Sequence, residues 1–372
     1  MASSTNTVTS ARQCSSLRTS GDELSISVII PVYNGGPNFR KCLVSVKALL
    51  PSPIEVIVVG DGDTDGSSQL AQEFGVNVLR FSSPGGPARA RNFGASRANG
   101  EIVFFVDADV TLPSDAIGQV AMVFKQEPDL AALFGSYGDE PGEINFLSQY
   151  RNLLHHYVHQ NGREDASTFW GACGAIRREV FLAMGGFDET YVKPSMEDVE
   201  LGYRLKRAGY LIRLCKSLQV KHWKRWELGS MLKADLFQRA LPWTDLILRG
   251  RNLINDLNTG MSGRASVLLM FGLLCSLAVS PWHALALALA GVMALALLIL
   301  NAPLYLFFLR KRGVGFVLRV IPWHWLYFFY SGVGFSIGLV RHLFRRDPSV
   351  RSQPSAASHE QPHSAPRSES HK

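Results

Sequence analysis

The spacing of apolar residues divides the chain into two regions with different periods. Between residue 25 and about residue 137, short apolar runs alternate with amphipathic stretches. "ISVIIPV" (26–32), "IEVIVV" (54–59), "VNVLRF" (76–81) and "IVFFV" (102–106) are rich in β-branched and aromatic residues and read as buried strands. The intervening stretches 38–50, 64–74 and 87–98 read as helices. Pro113 opens another, in the first turn where proline is tolerated. Strands alternating with helices of this length predict crossover units and an α/β fold built on a mostly parallel sheet. In such a sheet, ligands bind beyond the carboxyl ends of the strands. Residues 138–222 are less regular. "TFWGACGAIR" (168–177) reads as strand or loop, and "EDVELGYRLKRAGY" (197–210) as an amphipathic helix stopped by Gly209.

Beyond residue 226 the period changes. Residues 221–251 carry seven Lys/Arg against three Asp/Glu, a net of 7 − 3 = +4, on an amphipathic pattern suited to an anionic leaflet. From Ala265 to Leu309 there are 45 residues without Asp, Glu, Lys or Arg. As helix at roughly 1.5 Å per residue this reaches about 67 Å, two crossings of a bilayer core of about 30 Å. "SPWH" (280–283) and Asn301/Pro303 mark breaks, and a third apolar stretch runs from Ile321 to Val340. The division expected is a disordered tail 1–24, a soluble domain 25–226 and a basic membrane-proximal segment 227–264. A membrane region 265–341 follows, with helices 265–281, 284–301 and 321–340 and an interfacial segment 304–320, and then a disordered tail 342–372. The number of spans stays open, since three helices would put Arg345 and Arg346 outside, against the positive-inside tendency.

Charge and cysteine content narrow the class. The net charge of +7 admits nucleic acid, an anionic membrane or an acidic substrate, but no zinc-finger spacing or Arg-rich stacking motif favours nucleic acid. Five scattered cysteines without a CxxC fit free thiols in a reducing compartment. The Ser/Thr-rich start holds no apolar run of a signal peptide.

The candidate chemistry sits at strand ends. After the run 102–106 comes "DAD". Residues two apart on a strand share a side, so Asp107 and Asp109 are expected to converge where a hard divalent ion such as Mg²⁺ or Mn²⁺ could be held. A bare DxD is also compatible with a simple turn. "VVGDGDTDGS" (58–67) ends the second strand and reads either as a turn or as an acidic nucleoside-binding loop. "PGGPARARNFGA" (84–95) places Arg89 and Arg91 at a helix start, a setting that favours phosphate. Glu197 and Asp198 open another helix, where capping alone would favour carboxylates. His222 ends the apolar run "SLQVKH", and a histidine returning to a DxD site could be a third metal ligand.

Taken in order, "SVIIPVYN" (27–34), "DGDTDG" (61–66), "ARNFGA" (90–95), "FFVDADV" (104–110), "GGFDE" (185–189) and "EDVELGYRLKRAG" (197–209) resemble the family 2 glycosyltransferases, over about Ser25 to Trp226. The resemblance implies the GT-A fold, a Rossmann-like nucleotide-diphospho-sugar domain, and inverting, metal-dependent hexosyl transfer. It implies donor contacts from Pro31, Tyr33, Asn34, Asp61, Arg91 and Asp107, and a Mn²⁺ or Mg²⁺ ion on Asp107, Asp109 and His222. Asp198 is implied as catalytic base, with Trp170, Gly171 and Glu197 on the acceptor side. Gly60 departs from the family's usual acidic residue before Asp61. With the membrane segments, the expectation is a non-processive cell-envelope enzyme, multi-pass in the inner (plasma) membrane with its catalytic domain cytoplasmic. It would act on a nucleotide-sugar donor and a lipid or lipid-linked acceptor. A processive polysaccharide synthase would want QxxRW where "HWKRW" (222–226) stands. A sugar nucleotidyltransferase would want a Gly-rich basic loop after the first strand, which "PVYNGGPNFRK" matches poorly. A non-catalytic membrane scaffold of the same fold is the remaining alternative, opposed by intact Asp107, Asp109 and Asp198.

Overall fold

The computed structural model describes residues 24–250 and 261–344. Both expected tails, apart from Leu24 and residues 342–344, and part of the basic membrane-proximal segment lie outside the described residues. The first strands and helices follow the predicted alternation: β1 (Ile26–Val32), α1 (Gly36–Lys47), β2 (Glu55–Asp61), α2 (Ser67–Glu73), β3 (Asn77–Phe81), α3 (Pro87–Arg97) and β4 (Ile102–Val106). Next come β5 (Val110–Thr111), α4 (Ala116–Gln126), β6 (Leu130–Tyr137), α5 (Phe146–Asn161), β7 (Cys173–Arg177), α6 (Arg178–Ala183), α7 (Glu197–Arg207) and β8 (Leu211–His222).

The eight strands form one sheet in the order β3-β2-β1-β4-β7-β6-β8-β5. From β3 to β4 the pairing is parallel, as the alternation requires. Beyond β4 the sheet is mixed: β7 runs antiparallel to β4 and β6, β8 is parallel to β6, and β5 is antiparallel to β8. All residues of β1, β4 and β7 are buried, as expected for strands covered on both faces. Alternate residues feed two cores. Val28, Ile30 and Phe104 pack with Phe39 of α1 and Val120 of α4, while Ile29 and Phe105 pack with Phe169 and Phe181. The carboxyl ends of β1, β2 and β4 open on one edge, with the DxD segment between β4 and β5.

The C-terminal region is helical: α8 (Leu228–Lys233), a π-helical stretch Ala234–Ala240, α9 (Leu241–Gly250), α10 (Met261–Val279), α11 (Ala284–Leu300), α12 (Ala302–Arg312) and α13 (Val314–Phe344). Among the described residues one helix, Met261–Val279, is long and apolar enough to cross a bilayer. A second crossing exists if α11 and α12, bent by 61°, count as one. The stretch 321–340 lies inside α13, which carries Pro322. Large apolar side chains face outward here, among them Leu268, Trp282, Leu285 and Val292. Small residues let the helices close: a Cβ on Gly334 would stand 2.6 Å from Ala240 Cβ, and one on Gly338 2.7 Å from Thr244 Cβ.

This region is fastened to the α/β domain. Arg151 of α5, Arg239 and Tyr330 of α13 all bond the buried carboxylate of Asp235, the Tyr330 hydroxyl donating at 2.5 Å. The segment 304–320 differs from a simple surface helix. It breaks at Gly313 (φ +80°), and two of its cations grip the domain instead of facing outward. Arg312 Nε donates to Gln149 Oε1 at 2.8 Å, and Lys311 pairs with Asp139. Four cysteines, Cys42, Cys173, Cys215 and Cys275, are free, as their scatter predicted.

Candidate active site

The loops expected on the donor side tie one another down. Asp61, 4% exposed, accepts from the backbone N–H groups of Gly85 and Gly86 at 2.9 and 2.7 Å, so its carboxylate shapes the turn before α3. Gly86 has φ +98°, and a Cβ there would meet the Val192 backbone at 2.7 Å. Asn34, itself at φ +51°, accepts from the Thr64 N–H at 2.8 Å, and Asp65 accepts from the Gly36 N–H at 3.0 Å. Pro31 is buried in β1, while Tyr33 stands exposed at the rim.

Gly60 has a local explanation. A Cβ at residue 60 would stand 2.5 Å from Asp63 Oδ1 and closer still to Ser68 Oγ. The Asp63 carboxylate, held by the Ser68 N–H at 2.9 Å and the Ser68 hydroxyl at 2.5 Å, occupies the space a side chain at residue 60 would fill.

Arg91 joins the two halves of the site. It is 4% exposed, and its guanidinium donates to Asp107 Oδ1 at 2.7 Å and to Glu197 Oε1 at 3.1 Å. α3 presents it from behind the DxD segment. Asp109 is turned the other way, toward His222, with Oδ2 and Nε2 3.5 Å apart. Antiparallel pairing of β5 with β8 sets His222 opposite Val110, and the Trp223 N–H donates to the Asp109 carbonyl at 2.9 Å. That ladder is why a histidine over a hundred residues away meets the DxD motif. Burial would push the Asp109 carboxyl up, but His222 and then Lys224 outweigh it and hold it at about 2. Among the described residues no three His, Cys, Asp or Glu side chains are gathered closely enough to enclose an ion. The donor chemistry fits one nonetheless: the Asp109 carboxylate and an imidazole nitrogen face each other, while Asp107, two residues earlier, is held by Arg91 and does not converge on Asp109 as the spacing predicted, because residues 107–109 form a turn and not a strand.

Glu197 and Asp198 start α7 and have different surroundings. Glu197 is 4% exposed and fully engaged, by Arg91 and by the Ser195 N–H at 2.8 Å. Asp198 accepts only backbone N–H groups, from Gly171 at 3.2 Å and Val199 at 2.8 Å, and no Lys or Arg among the described residues reaches it in an ion pair. Burial, followed by the charge of Glu197, raises its pKa to about 7, against the opposing charge of Arg91. Trp170, next in the chain to the Gly171 that bonds Asp198, stands edge-on to Tyr137 at 4.7 Å.

Sequence reasoning missed Tyr137 and the histidines of α5. Tyr137 stacks on His222 at 4.3 Å with planes 11° apart. His155 sits 4.4 Å from Tyr137 and 4.8 Å from Trp170, while His156 donates from Nδ1 to the Tyr137 carbonyl at 2.7 Å. Burial lowers the pKa of His155, and of His159 to about 4, so both are neutral packing groups. The run "HHYVH" was the available signal, three histidines on adjoining turns of one helix.

Comparison with known proteins agrees with this architecture. Residues 27–185 match the family model for glycosyl transferase family 2. Glycosyltransferase GlyG of Streptococcus pneumoniae serotype 4 is 34% identical over 117 residues, 30% of this chain and 38% of that one. Probable glycosyltransferase YdaM of Bacillus subtilis is 26% identical over 222 residues, 54% of this chain and 52% of that one. The matches thus span about half or less of these relatives. Among solved structures, the mannosyltransferase PcManGT of Pyrobaculum calidifontis superposes with a TM-score of 0.53 at 18% identity, covering 84% of this chain and 87% of that one. Motif order, sheet topology and these likenesses agree: the chain carries a family 2 glycosyltransferase domain with the GT-A fold.

Proposed function

We propose that the protein is a membrane-anchored, inverting, non-processive glycosyltransferase that moves a sugar from a nucleoside-diphosphate sugar to a hydroxyl of a lipid or lipid-linked acceptor. One observation carries the reading. A single buried arginine, Arg91, stands between a donor-side carboxylate, Asp107, and Glu197, the immediate neighbour of Asp198, whose carboxyl accepts backbone N–H groups and forms no ion pair among the described residues. Binding and proton transfer need carboxylates of opposite character, and this site has both. The solved mannosyltransferase is described in complex with GDP-Man and Mn²⁺, which supports a nucleotide-sugar donor and a divalent ion here.

On this reading Asp61 shapes the loop against which the nucleoside lies, and Tyr33 and Asn34 border it. Asp107, Asp109 and His222 would hold Mn²⁺ or Mg²⁺, which neutralises charge on the departing diphosphate. Asp198 takes the proton from the acceptor hydroxyl. The hydroxyl oxygen then bonds the anomeric carbon from the face opposite the leaving group. The carbon–oxygen bond to the nucleoside diphosphate breaks with its electron pair, inverting the centre. Glu197 is already paired with Arg91 and acts as a positioning residue.

The basic segment after β8, the apolar α10 and the outward-facing side chains of α11 support anchorage in the membrane, with the catalytic domain on the cytoplasmic side where nucleotide sugars are made. Trp226 of "HWKRW" is 6% exposed, packed with Tyr150 and Phe308, and its backbone N–H donates to Ser148 Oγ at 2.7 Å. A tryptophan packed this way does not line a polymer channel, which favours the non-processive form. The experiment is nucleotide release by the full-length protein from a panel of sugar nucleotides, with Mn²⁺ and with EDTA. The expected result is release from one or a few donors, lost in EDTA. Release from none would remove the reading, and full activity in EDTA would remove its metal dependence.

A further inference from the structure

We propose that the groove between the loop 188–196 and the membrane-proximal helix binds the phosphate that joins an acceptor sugar to its lipid. The inference rests on the glycosyltransferase reading and deepens it, by naming the acceptor class and the residues that receive it.

The groove has a volume of about 280 Å³, and its lining includes Val192, Lys193, Ser195, Lys233, Phe237 and Gln238. Two cations face it from opposite walls, Lys193 from the loop and Lys233 from the end of α8. Neither has an ion-pair or hydrogen-bond partner among the described residues. Nearby carboxylates are committed elsewhere. Asp188 accepts from the Thr190 N–H, Glu189 from Asn92, and Asp235 is enclosed by Arg151, Arg239 and Tyr330. Two uncompensated ammonium groups at one concavity suit a phosphate.

The apolar rim identifies the rest of the ligand. Phe237 is 63% exposed and Val192 64%, beside the lysines. Phe237 lies in the π-helical stretch, which turns Asp235 inward and leaves Phe237 outside. The helix then continues as α9 toward the apolar α10. A headgroup in this groove would leave its hydrocarbon chain against Phe237, on the membrane side.

The groove is also joined to the chemistry. The Ser195 hydroxyl donates to the Gln238 carbonyl at 2.8 Å, tying the loop to the helix, and its N–H donates to Glu197. Ser195 is three residues before Asp198. On its other side the loop touches Gly86, which Asp61 holds. The loop is therefore the wall between donor cleft and groove. A phosphate seated there would place an attached sugar toward Asp198, whose role requires a hydroxyl. The phosphate is the handle and the sugar hydroxyl the nucleophile.

The test is binding, with no turnover. Full-length protein in neutral phosphatidylcholine nanodiscs, in EDTA, is titrated with farnesyl phosphate, inorganic phosphate and farnesol. Farnesyl phosphate should bind the wild type most tightly. The double variant Lys193→Gln/Lys233→Gln should weaken it by about tenfold or more, the scale of losing charge-assisted hydrogen bonds, and Lys193→Arg/Lys233→Arg should restore it. Phe237→Ala should weaken farnesyl phosphate and leave inorganic phosphate unchanged. The Gln variants binding farnesyl phosphate like wild type would overturn the assignment. So would inorganic phosphate binding as tightly as farnesyl phosphate, since the groove would then take a free anion. No nucleotide release from any sugar nucleotide in the donor panel, with this binding intact, would refute the glycosyltransferase reading alone.

Discussion

On the proposed reading, the donor half and the acceptor half of the site are built differently. On the donor side every carboxylate is committed. Asp61 is held by two backbone amides, Asp63 by Ser68, Asp65 by Gly36 and Ser67, Asp107 by Arg91, and Asp109 faces His222. Its loops sit at the ends of adjacent parallel strands and need little more than local chain to form. On the acceptor side the important groups lack such partners: among the described residues no cation forms an ion pair with Asp198, and no anion with Lys193 or Lys233. These groups come together only through long-range packing of α7, the loop 188–196 and the membrane-proximal helix. Carboxylates held in place suit a divalent cation that would in turn neutralise a diphosphate. A carboxyl left without a cation is the one whose proton affinity can rise to where it works as a base.

Breaking the donor half should have the largest effect. Asp109→Ala removes the carboxylate facing His222 and should abolish transfer together with metal-dependent donor binding, while circular dichroism and melting stay near wild type. Retained transfer in this variant would contradict the role given to the strand end.

Breaking the acceptor half should separate rate from binding. Asp198→Asn should reduce turnover by about 10²-fold or more, with donor affinity unchanged by titration calorimetry. Its stability carries a sign of its own. The folded-state pKa of Asp198, about 7, lies above the ordinary aspartate value of 3.8. Its contribution to stability is therefore full below the unfolded pKa and is lost as pH rises through 7. Asn mimics the protonated form, so at pH 8 the variant should melt at or above wild type. A large drop in melting temperature there would show that the carboxylate holds the fold.

A smaller effect sharpens the donor side. Gly60→Asp should meet Asp63 and Ser68 and cost about 1–3 kcal/mol by denaturant unfolding, the usual scale of overpacking. Gly60→Asp combined with Asp63→Ser should recover most of it. Additivity of the two changes would mean that Asp63 does not occupy that space.

The same contrast explains what could be read from the chain. β1 to β4 and their helices were legible because each is one apolar run or one amphipathic period, and crossover geometry then orders them. The reversal at β7 was not, since "CGAIR" carries no mark of direction. The DxD segment was legible from its place after a buried strand. Its companions on β6 and α5, Tyr137 and His155, were not, because residues so far apart meet only once the sheet order is known. Gly60 was visible as a departure, but the compensating position of Asp63 required coordinates. In the C-terminal region the uncharged run marked α10 and α11. The segment 304–320 read as interfacial, and only the fold shows its Lys311 and Arg312 gripping Asp139 and Gln149.

The central claim is that Asp198 is the base and that Glu197, already paired with Arg91, tunes it. The pH dependence of turnover at saturating donor, in wild type and in Glu197→Gln, tests this most directly. A base acts deprotonated, so wild-type turnover should rise with pH through a limb centred near 7, set by burial and by the Glu197 charge against Arg91. Removing the Glu197 charge favours ionised Asp198, so in Glu197→Gln the limb should move to lower pH, with activity retained at pH 8. A wild-type profile without a limb near 7, or a limb that stays in place in Glu197→Gln, would contradict the account.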